Sequence, residues 1–142
     1  MGKPYAYLLR LSLLGLILAL SLLSCAPDED ATIREAQYAA KIVGDWQGIV
    51  GDVRETISFS ADGKFTSHVG PRGFISDTLG QGVTGTVRGT WTIKRNVITL
   101  NIDSADKANV LNKTATSTIE MFKQNELTVR SSRGETSTFV RM

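Results

Sequence analysis

The sequence is poor in the residues that build most catalytic and metal sites. Its 142 residues include one cysteine and one histidine, too few for an internal disulfide or for a zinc site of several Cys and His ligands. Three prolines and 13 glycines are also too few for a collagen or a low-complexity chain. With 42% hydrophobic residues, the composition excludes an intrinsically disordered chain, and the length suits about one domain.

Most of the chain also has no excess of either basic or acidic residues. Sixteen basic residues stand against 14 acidic ones. Lys3 and Arg10 lie in the first ten positions, and without these two the 16 become 14 basic residues against 14 acidic ones. The remainder therefore has no basic field of the kind that binds nucleic acid, and we expect no nucleic-acid partner.

The N-terminal hydrophobic run is short. Residues 11–23 carry no charge, whereas a helix that crosses a bilayer needs about 20 apolar residues. Two positive charges followed by a run of this length indicate the core of a signal peptide.

The run ends in Leu22-Leu23-Ser24-Cys25, which resembles the lipobox of bacterial lipoproteins; Leu22 and Ser24 match, and Leu23 is a less usual middle residue. The resemblance implies that residues 1–24 are a signal peptide and that Cys25 is lipidated with acyl chains such as palmitate. Residues 25–31 would form a lipidated tether to the membrane. Ala26, in place of Asp, favours the outer membrane in a two-membrane bacterium. The alternatives are an ordinary cleaved signal peptide or an uncleaved membrane anchor.

One short helix is predicted directly after the tether. Thr32 and Glu35 have the spacing of a capping box, and Gly44 ends the pattern. Apolar residues at helical spacing predict the buried stripe Ile33, Ala36, Ala40 and Val43.

From Trp46 onward the apolar residues alternate with polar ones, which is typical of strands with one buried face. About eight short strands joined mostly by tight turns predict an all-β fold, an antiparallel up-and-down barrel within a domain of residues 32–142. The alternation places four candidate side chains inside this barrel: Glu55, Phe59, Phe65 and Trp91.

Two Gly-x-Trp elements, Gly44-Asp45-Trp46 and Gly89-Thr90-Trp91, together with the terminal Phe139-Val140-Arg141, resemble small bacterial lipocalin-like lipoproteins. The resemblance implies that Arg141 packs across the indole of Trp46 and ties the last strand to the first. Such a cation–π contact contributes about 0.5–2 kcal/mol. The alternative is a generic barrel or sandwich in which the tryptophans are only core residues.

Two features within the domain leave alternatives open. An unpaired charge is costly to bury, so Glu55 is expected either to pair with an interior Arg or Lys, or to lie in water at the barrel mouth. Residues 70–84 read as a long loop in which Phe74 and Ile75 are apolar. They form either a lid or partner-docking segment, or a cap on one end of the barrel.

Catalytic motifs are not found. Gly80-Gln81-Gly82-Val83-Thr84-Gly85 matches the literal dinucleotide pattern, but strand residues follow it where that site needs a helix. His68 is expected on the solvent side of its strand. We therefore expect no enzyme activity, no cofactor and no metal. Two functions remain: an anchored module that binds a small apolar ligand or lipid, or an accessory envelope lipoprotein that acts through protein–protein contacts.

Overall fold

The structure is a computed structural model that describes residues 29–50 and 53–142. The predicted signal peptide, Cys25 and the first part of the tether lie outside these residues. Residues Ile33–Met142 form one compact unit, and the residues before Ile33 belong to another.

The chain forms a closed barrel of eight antiparallel strands in sequential order, in which β8 pairs with β1. The predicted fold class is confirmed. The helices are α1 (Glu29–Ile42) and α2 (Phe74–Leu79), with a 3-10 turn at Ala108–Val110. The strands are β1 (Gly44–Val50), β2 (Val53–Phe59), β3 (Lys64–Val69), β4 (Gly85–Lys94), β5 (Val97–Ala105), β6 (Thr114–Phe122), β7 (Glu126–Ser131) and β8 (Thr136–Arg141).

Because the strands run alternately up and down, their connections lie at two opposite ends of the barrel. The α1 end carries the connections β2–β3, β4–β5 and β6–β7 and the C-terminus. The α2 end carries β1–β2, β3–β4, β5–β6 and β7–β8. Alternate side chains of each strand point into the barrel and are buried, as a period of two requires.

Helix α1 begins at Glu29, three residues before the predicted start at Thr32, so residues 29–31 of the predicted tether are helical. The predicted capping box is wrong, because Thr32 lies inside the helix. The carboxylate of Glu35 accepts a hydrogen bond from the backbone N–H of Arg95 in the β4–β5 turn. This contact places α1 across the end of the barrel.

The predicted buried stripe of α1 is also wrong. Ile33, Ala36 and Ala40 are exposed, and of the four predicted residues Val43 alone packs against the core, just after the helix ends. Tyr38 and Ile42 face the barrel instead. The Tyr38 ring lies 5.6 Å from the ring of Phe122 on β6. Alanine buries little apolar area, so the larger side chains at positions 38 and 42 determine which face packs.

The first and last strands meet at Trp46 and Arg141, which are register partners. The Arg141 guanidinium carbon lies 4.3 Å from the centroid of the Trp46 ring. Arg141 Nη1 donates to the Val43 carbonyl at 2.9 Å, and Nη2 donates to that of Lys41. Trp46 Nε1 donates to the Ile42 carbonyl at 2.7 Å. The pair therefore joins β1, β8 and the carbonyls that the end of α1 leaves unpaired.

Both glycines of the Gly-x-Trp elements lie where a side chain would collide. A Cβ atom at Gly44 would come within 2.4 Å of Arg141 Nη1, and Gly44 has a φ of +131°. A Cβ atom at Gly89 would come within 1.8 Å of the Asn101 carbonyl oxygen. Gly89 adjoins an irregularity in the β4–β5 register. In each case glycine lets another group approach the backbone closely.

We predict that Arg141→Ala lowers the free energy of unfolding by about 2 kcal/mol, because it removes a cation–π contact and leaves helix carbonyls unpaired. Urea unfolding followed by tryptophan fluorescence measures this change. Arg130→Ala is the matched control, since Arg130 forms an exposed ion pair with Glu120 that contributes at most about 1 kcal/mol. Equal effects of the two substitutions would contradict a closing role for Arg141.

Candidate functional site

The α2 end of the barrel is closed by the segment between β3 and β4. Residues 70–84, expected as a loop, contain the six-residue helix α2, and that expectation is wrong. Gly80 ends the helix in the left-handed conformation; its N–H donates to the Asp77 carbonyl at 3.2 Å, and the Gln81 N–H donates to the Ser76 carbonyl at 3.2 Å. A glycine directly after an apolar residue is a helix-end signal, so Gly80 was the feature of the sequence that indicated a helix.

Phe74 and Ile75 are buried and belong to the main hydrophobic core. The Phe74 ring lies 5.6 Å from the ring of Phe139, edge to face. Of the two alternatives for Phe74 and Ile75, this arrangement is the cap, because both side chains cover the end of the barrel. They are not exposed residues on which a partner could dock directly.

The other predicted interior residues lie where the alternation places them. Phe59, Phe65 and Trp91 are buried. The rings of Phe59 and Trp91 are 5.7 Å apart, edge to face, and Trp91 Nε1 donates to the Ser60 carbonyl at 3.0 Å. These aromatic side chains fill the half of the barrel nearest α1.

The barrel interior holds almost no free volume beneath α2. A void of about 10 Å³ lies among Ile57, Phe59, Phe74, Ile98, Leu127, Val129 and Phe139. A cavity needs about 10–15 Å³ to hold one water molecule, so this void has no room for an organic ligand. An eight-stranded barrel is just wide enough to be filled by its own side chains.

Glu55 lies inside this packed region, with 1% of its surface exposed. Its Oε2 accepts a hydrogen bond from the backbone N–H of Phe74 at 2.6 Å, and Ser67 Oγ donates to its Oε1 at 3.4 Å. Among the residues that the structure describes, no Arg or Lys forms an ion pair with Glu55. The burial of Glu55 contradicts the open-water alternative, and within the described part of the chain its carboxylate has hydrogen-bond donors in place of a basic partner.

Burial raises the pKa of Glu55 to about 7 from 4.5, and the negative charge of Asp77 acts in the same direction. The backbone N–H groups of Phe74 and Ile75 and the Ser67 hydroxyl oppose this shift, because they stabilise the carboxylate. The effect of burial is larger than that of the hydrogen bonds, so the pKa of Glu55 is raised. Glu55 thus binds α2 to β2 through a carboxyl group that has no counter-charge.

Two hydroxyl groups secure the rest of the segment. Ser76 Oγ donates to the Gly70 carbonyl at 2.9 Å and accepts from the Val83 N–H at 2.9 Å, which ties the two ends of the segment together. Thr78 Oγ1 lies 3.3 Å from Ser117 Oγ on β6. Sequence reasoning singled out none of these contacts.

An open cleft of about 280 Å³ lies on the outer side of α2. Its walls come from the α2 segment and the β7–β8 turn, and carry both signs of charge; the lining residues are Pro71, Ser76, Asp77, Gly80, Gln81, Gly82, Arg133 and Glu135. Partial burial and the neighbouring Glu135 raise the pKa of Asp77. Such a surface suits a polar partner better than an apolar small molecule.

The described residues offer little for chemistry. They contain no group of three or more His, Cys, Asp or Glu side chains that could hold a metal ion. His68 is exposed, and its Nδ1 lies 3.1 Å from Thr86 Oγ1. The glycine pattern at residues 80–85 leads directly into β4 and not into a helix. No helix in residues 29–50 or 53–142 is long and apolar enough to span a membrane.

Two solved structures resemble this chain. A lipocalin-like protein from Bacteroides uniformis ATCC 8492 has 18% sequence identity and a TM-score of 0.49, over 72% of this chain and 99% of that one. An uncharacterized protein from Bacteroides eggerthii DSM 20697 has 13% identity and a TM-score of 0.47, over 71% and 99%. No family model and no curated protein matches the sequence.

We predict that Glu55 makes the stability of the barrel fall as the pH rises. Because its folded-state pKa is raised from 4.5 to about 7, its contribution is complete below pH 4.5 and is lost as the pH passes 7. The expected loss is about 3 kcal/mol. Glu55→Gln stays neutral, so urea unfolding at about pH 4 and about pH 8.5, below and above the window between the two pKa values, gives a flatter pH dependence than in the parent chain.

The control for this measurement is Asp103→Asn, at an exposed position on β5, which leaves the parent pH dependence unchanged. The same pH dependence in the parent chain and in Glu55→Gln would show that Glu55 is not the titrating group.

Proposed function

We propose that this chain is a bacterial envelope lipoprotein, anchored through acyl chains on Cys25, whose filled lipocalin-like barrel acts by binding another protein at its surface. The observation that carries this proposal is the interior: the void beneath α2 measures about 10 Å³. A ligand pocket for a small molecule is normally about 300–1,000 Å³.

The anchor rests on the sequence from Leu22 to Cys25 and its resemblance to a lipobox. Two or more acyl chains hold a protein on a membrane stably, since each buried methylene contributes about 0.8 kcal/mol. A protein fixed in this way acts on components of the same envelope, and we assign it to the outer membrane where the organism has two membranes. We propose no catalytic activity.

The cleft beside α2 is the docking site of this proposal. It offers two carboxylates, Asp77 and Glu135, and the guanidinium of Arg133 on a rigid support. The support is rigid because α2 is fastened to the barrel by Glu55 and Ser76. Charged groups on a preorganised surface favour one orientation of a protein partner.

A second candidate is a module that binds a small apolar ligand or lipid. The void beneath α2 is lined only by apolar side chains, and Glu55 holds α2 without a counter-charge. A ligand would have to displace Phe74 and Ile75 from the barrel, which would lose the free energy of burying two large apolar side chains, about 3–6 kcal/mol.

Native mass spectrometry of the mature protein distinguishes the two candidates. We expect one species whose mass exceeds that of the chain from Cys25 by the acyl groups alone, and the Cys25→Ser variant lacks that mass. Fatty acids should leave the fluorescence of Trp46 and Trp91 unchanged, because no ligand reaches the interior. A retained lipid beyond the covalent anchor would favour the second candidate, and an unacylated Cys25 would overturn the lipoprotein assignment.

Photo-crosslinking in intact cells tests the docking site. A photoreactive residue in place of Gln81, which lines the cleft, should capture one defined envelope protein, because that partner covers the cleft. The matched position is Thr92, which is exposed on β4 away from the cleft, and it should capture none. Equal capture from both positions, or from neither, would contradict docking at the cleft.

A further inference from the structure

The outer face of α1 exposes apolar side chains among polar ones. Ile33 has 56% of its surface exposed, and Ala36 and Ala40, one and two turns further on, are exposed as well. The opposite face carries Tyr38 and Ile42, which contact the core. Helix α1 therefore has one face that closes the barrel and a second, with exposed apolar side chains, that points away from it.

Other exposed apolar residues lie at the same end of the barrel. Met142, at the C-terminus, is 64% exposed, and Val140, near the end of β8, is 48% exposed. Of the exposed large hydrophobic residues whose side chains the structure describes, Ile33, Val140 and Met142 lie at the α1 end and Leu111 lies at the α2 end. Exposed apolar groups concentrated at one end mark an interaction surface.

The sequence limits what can lie against this surface. Three residues separate Cys25 from Glu29, the first residue of α1, and the four residue-to-residue steps between them span at most about 14 Å. Strand β4 alone, with ten residues, is about 33 Å long. A bilayer that holds acyl chains on Cys25 is therefore kept close to the start of α1.

We propose that the outer face of α1 and the C-terminal residue lie against the surface of a lipid bilayer, with the α2 end and its cleft directed away from it. This inference rests on the proposed acylation of Cys25. Ile33 and Met142 enter the boundary between headgroups and acyl chains, as the apolar side chains of interfacial helices do.

Charge does not drive this contact. The turns and termini at the α1 end carry both signs: Lys41, Lys64, Lys94, Arg95, Lys123 and Arg141 are basic, and Glu29, Asp30, Asp45, Asp62 and Glu126 are acidic. The contact is therefore expected to be the same on phosphatidylethanolamine with or without phosphatidylglycerol, and to persist at high salt.

The lone cysteine makes a direct test available. Because acylation occupies Cys25, a cysteine introduced as Ala40→Cys, on the outer face of α1, is the one free thiol and takes a fluorescent label. The matched position is Lys107→Cys, which is exposed at the α2 end. Full-length acylated protein is placed in nanodiscs, one copy in each, and the label is quenched with iodide.

We expect the quenching constant at position 40 to be about three-fold lower than at position 107, because the bilayer shields one side of the label. The difference should survive insertion of a flexible Gly/Ser linker after Ala26, because the surface itself binds lipid, and it should be lost in Ile33→Asp with the same linker. If the difference between positions 40 and 107 were lost in the linker variant that keeps Ile33, only the short tether would be holding α1 near the bilayer. That result would overturn the proposal.

The other possible results distinguish failure of this inference from failure of the lipoprotein assignment. Acyl mass on Cys25 with equal quenching at both positions overturns this inference and leaves the lipoprotein assignment standing. Chains without acyl mass overturn both. Shielding at position 40 in vesicles with many copies, but not in single-copy nanodiscs, would assign the surface to a second copy of this chain instead.

Discussion

Arg141 connects three parts of this structure: the first strand, the last strand and the end of α1. Its guanidinium group stacks on Trp46 of the first strand and donates to the last carbonyls of α1, while its backbone belongs to the last strand. A sheet becomes a barrel only when its two edge strands pair, and pairing removes the unsatisfied edges that would attract other chains. One residue therefore joins closure of the sheet to placement of the helix that covers its end.

The opposite end is closed by a different interaction. A carboxyl group, Glu55, is buried beneath α2 and is bonded to backbone N–H groups where a basic side chain would be expected. The desolvation of that group opposes ionisation, so the attachment of α2 is the part of the barrel whose stability depends on pH near neutrality. The aromatic and aliphatic side chains beneath α2 leave a void of about 10 Å³, space for at most one water molecule.

A barrel filled and closed at both ends offers its outer surface for function. Both ends carry a surface cleft and charges of both signs, but the α1 end also exposes large apolar side chains and adjoins the proposed anchor. Under the proposed arrangement the first end lies against lipid and the second faces the envelope space. The same scaffold then serves as a support that holds one cleft at a defined distance from the membrane.

The alternation of apolar and polar residues from Trp46 onward was enough to predict eight strands, an antiparallel barrel and the burial of Phe59, Phe65 and Trp91, because that period is a local property of a strand with one buried face. The resemblance carried by Trp46 and Arg141 implied the contact that the structure has. The buried face of α1, the six-residue helix α2 and the partners of Glu55 needed the tertiary structure. A short helix is marginal until it packs, and the neighbours of a buried carboxyl group come from elements distant in sequence. Glu55, Phe74 and Ile75 could thus be named from the sequence, but their roles were decided by packing. The charged residues of the cleft, Asp77, Arg133 and Glu135, come together only in the tertiary structure.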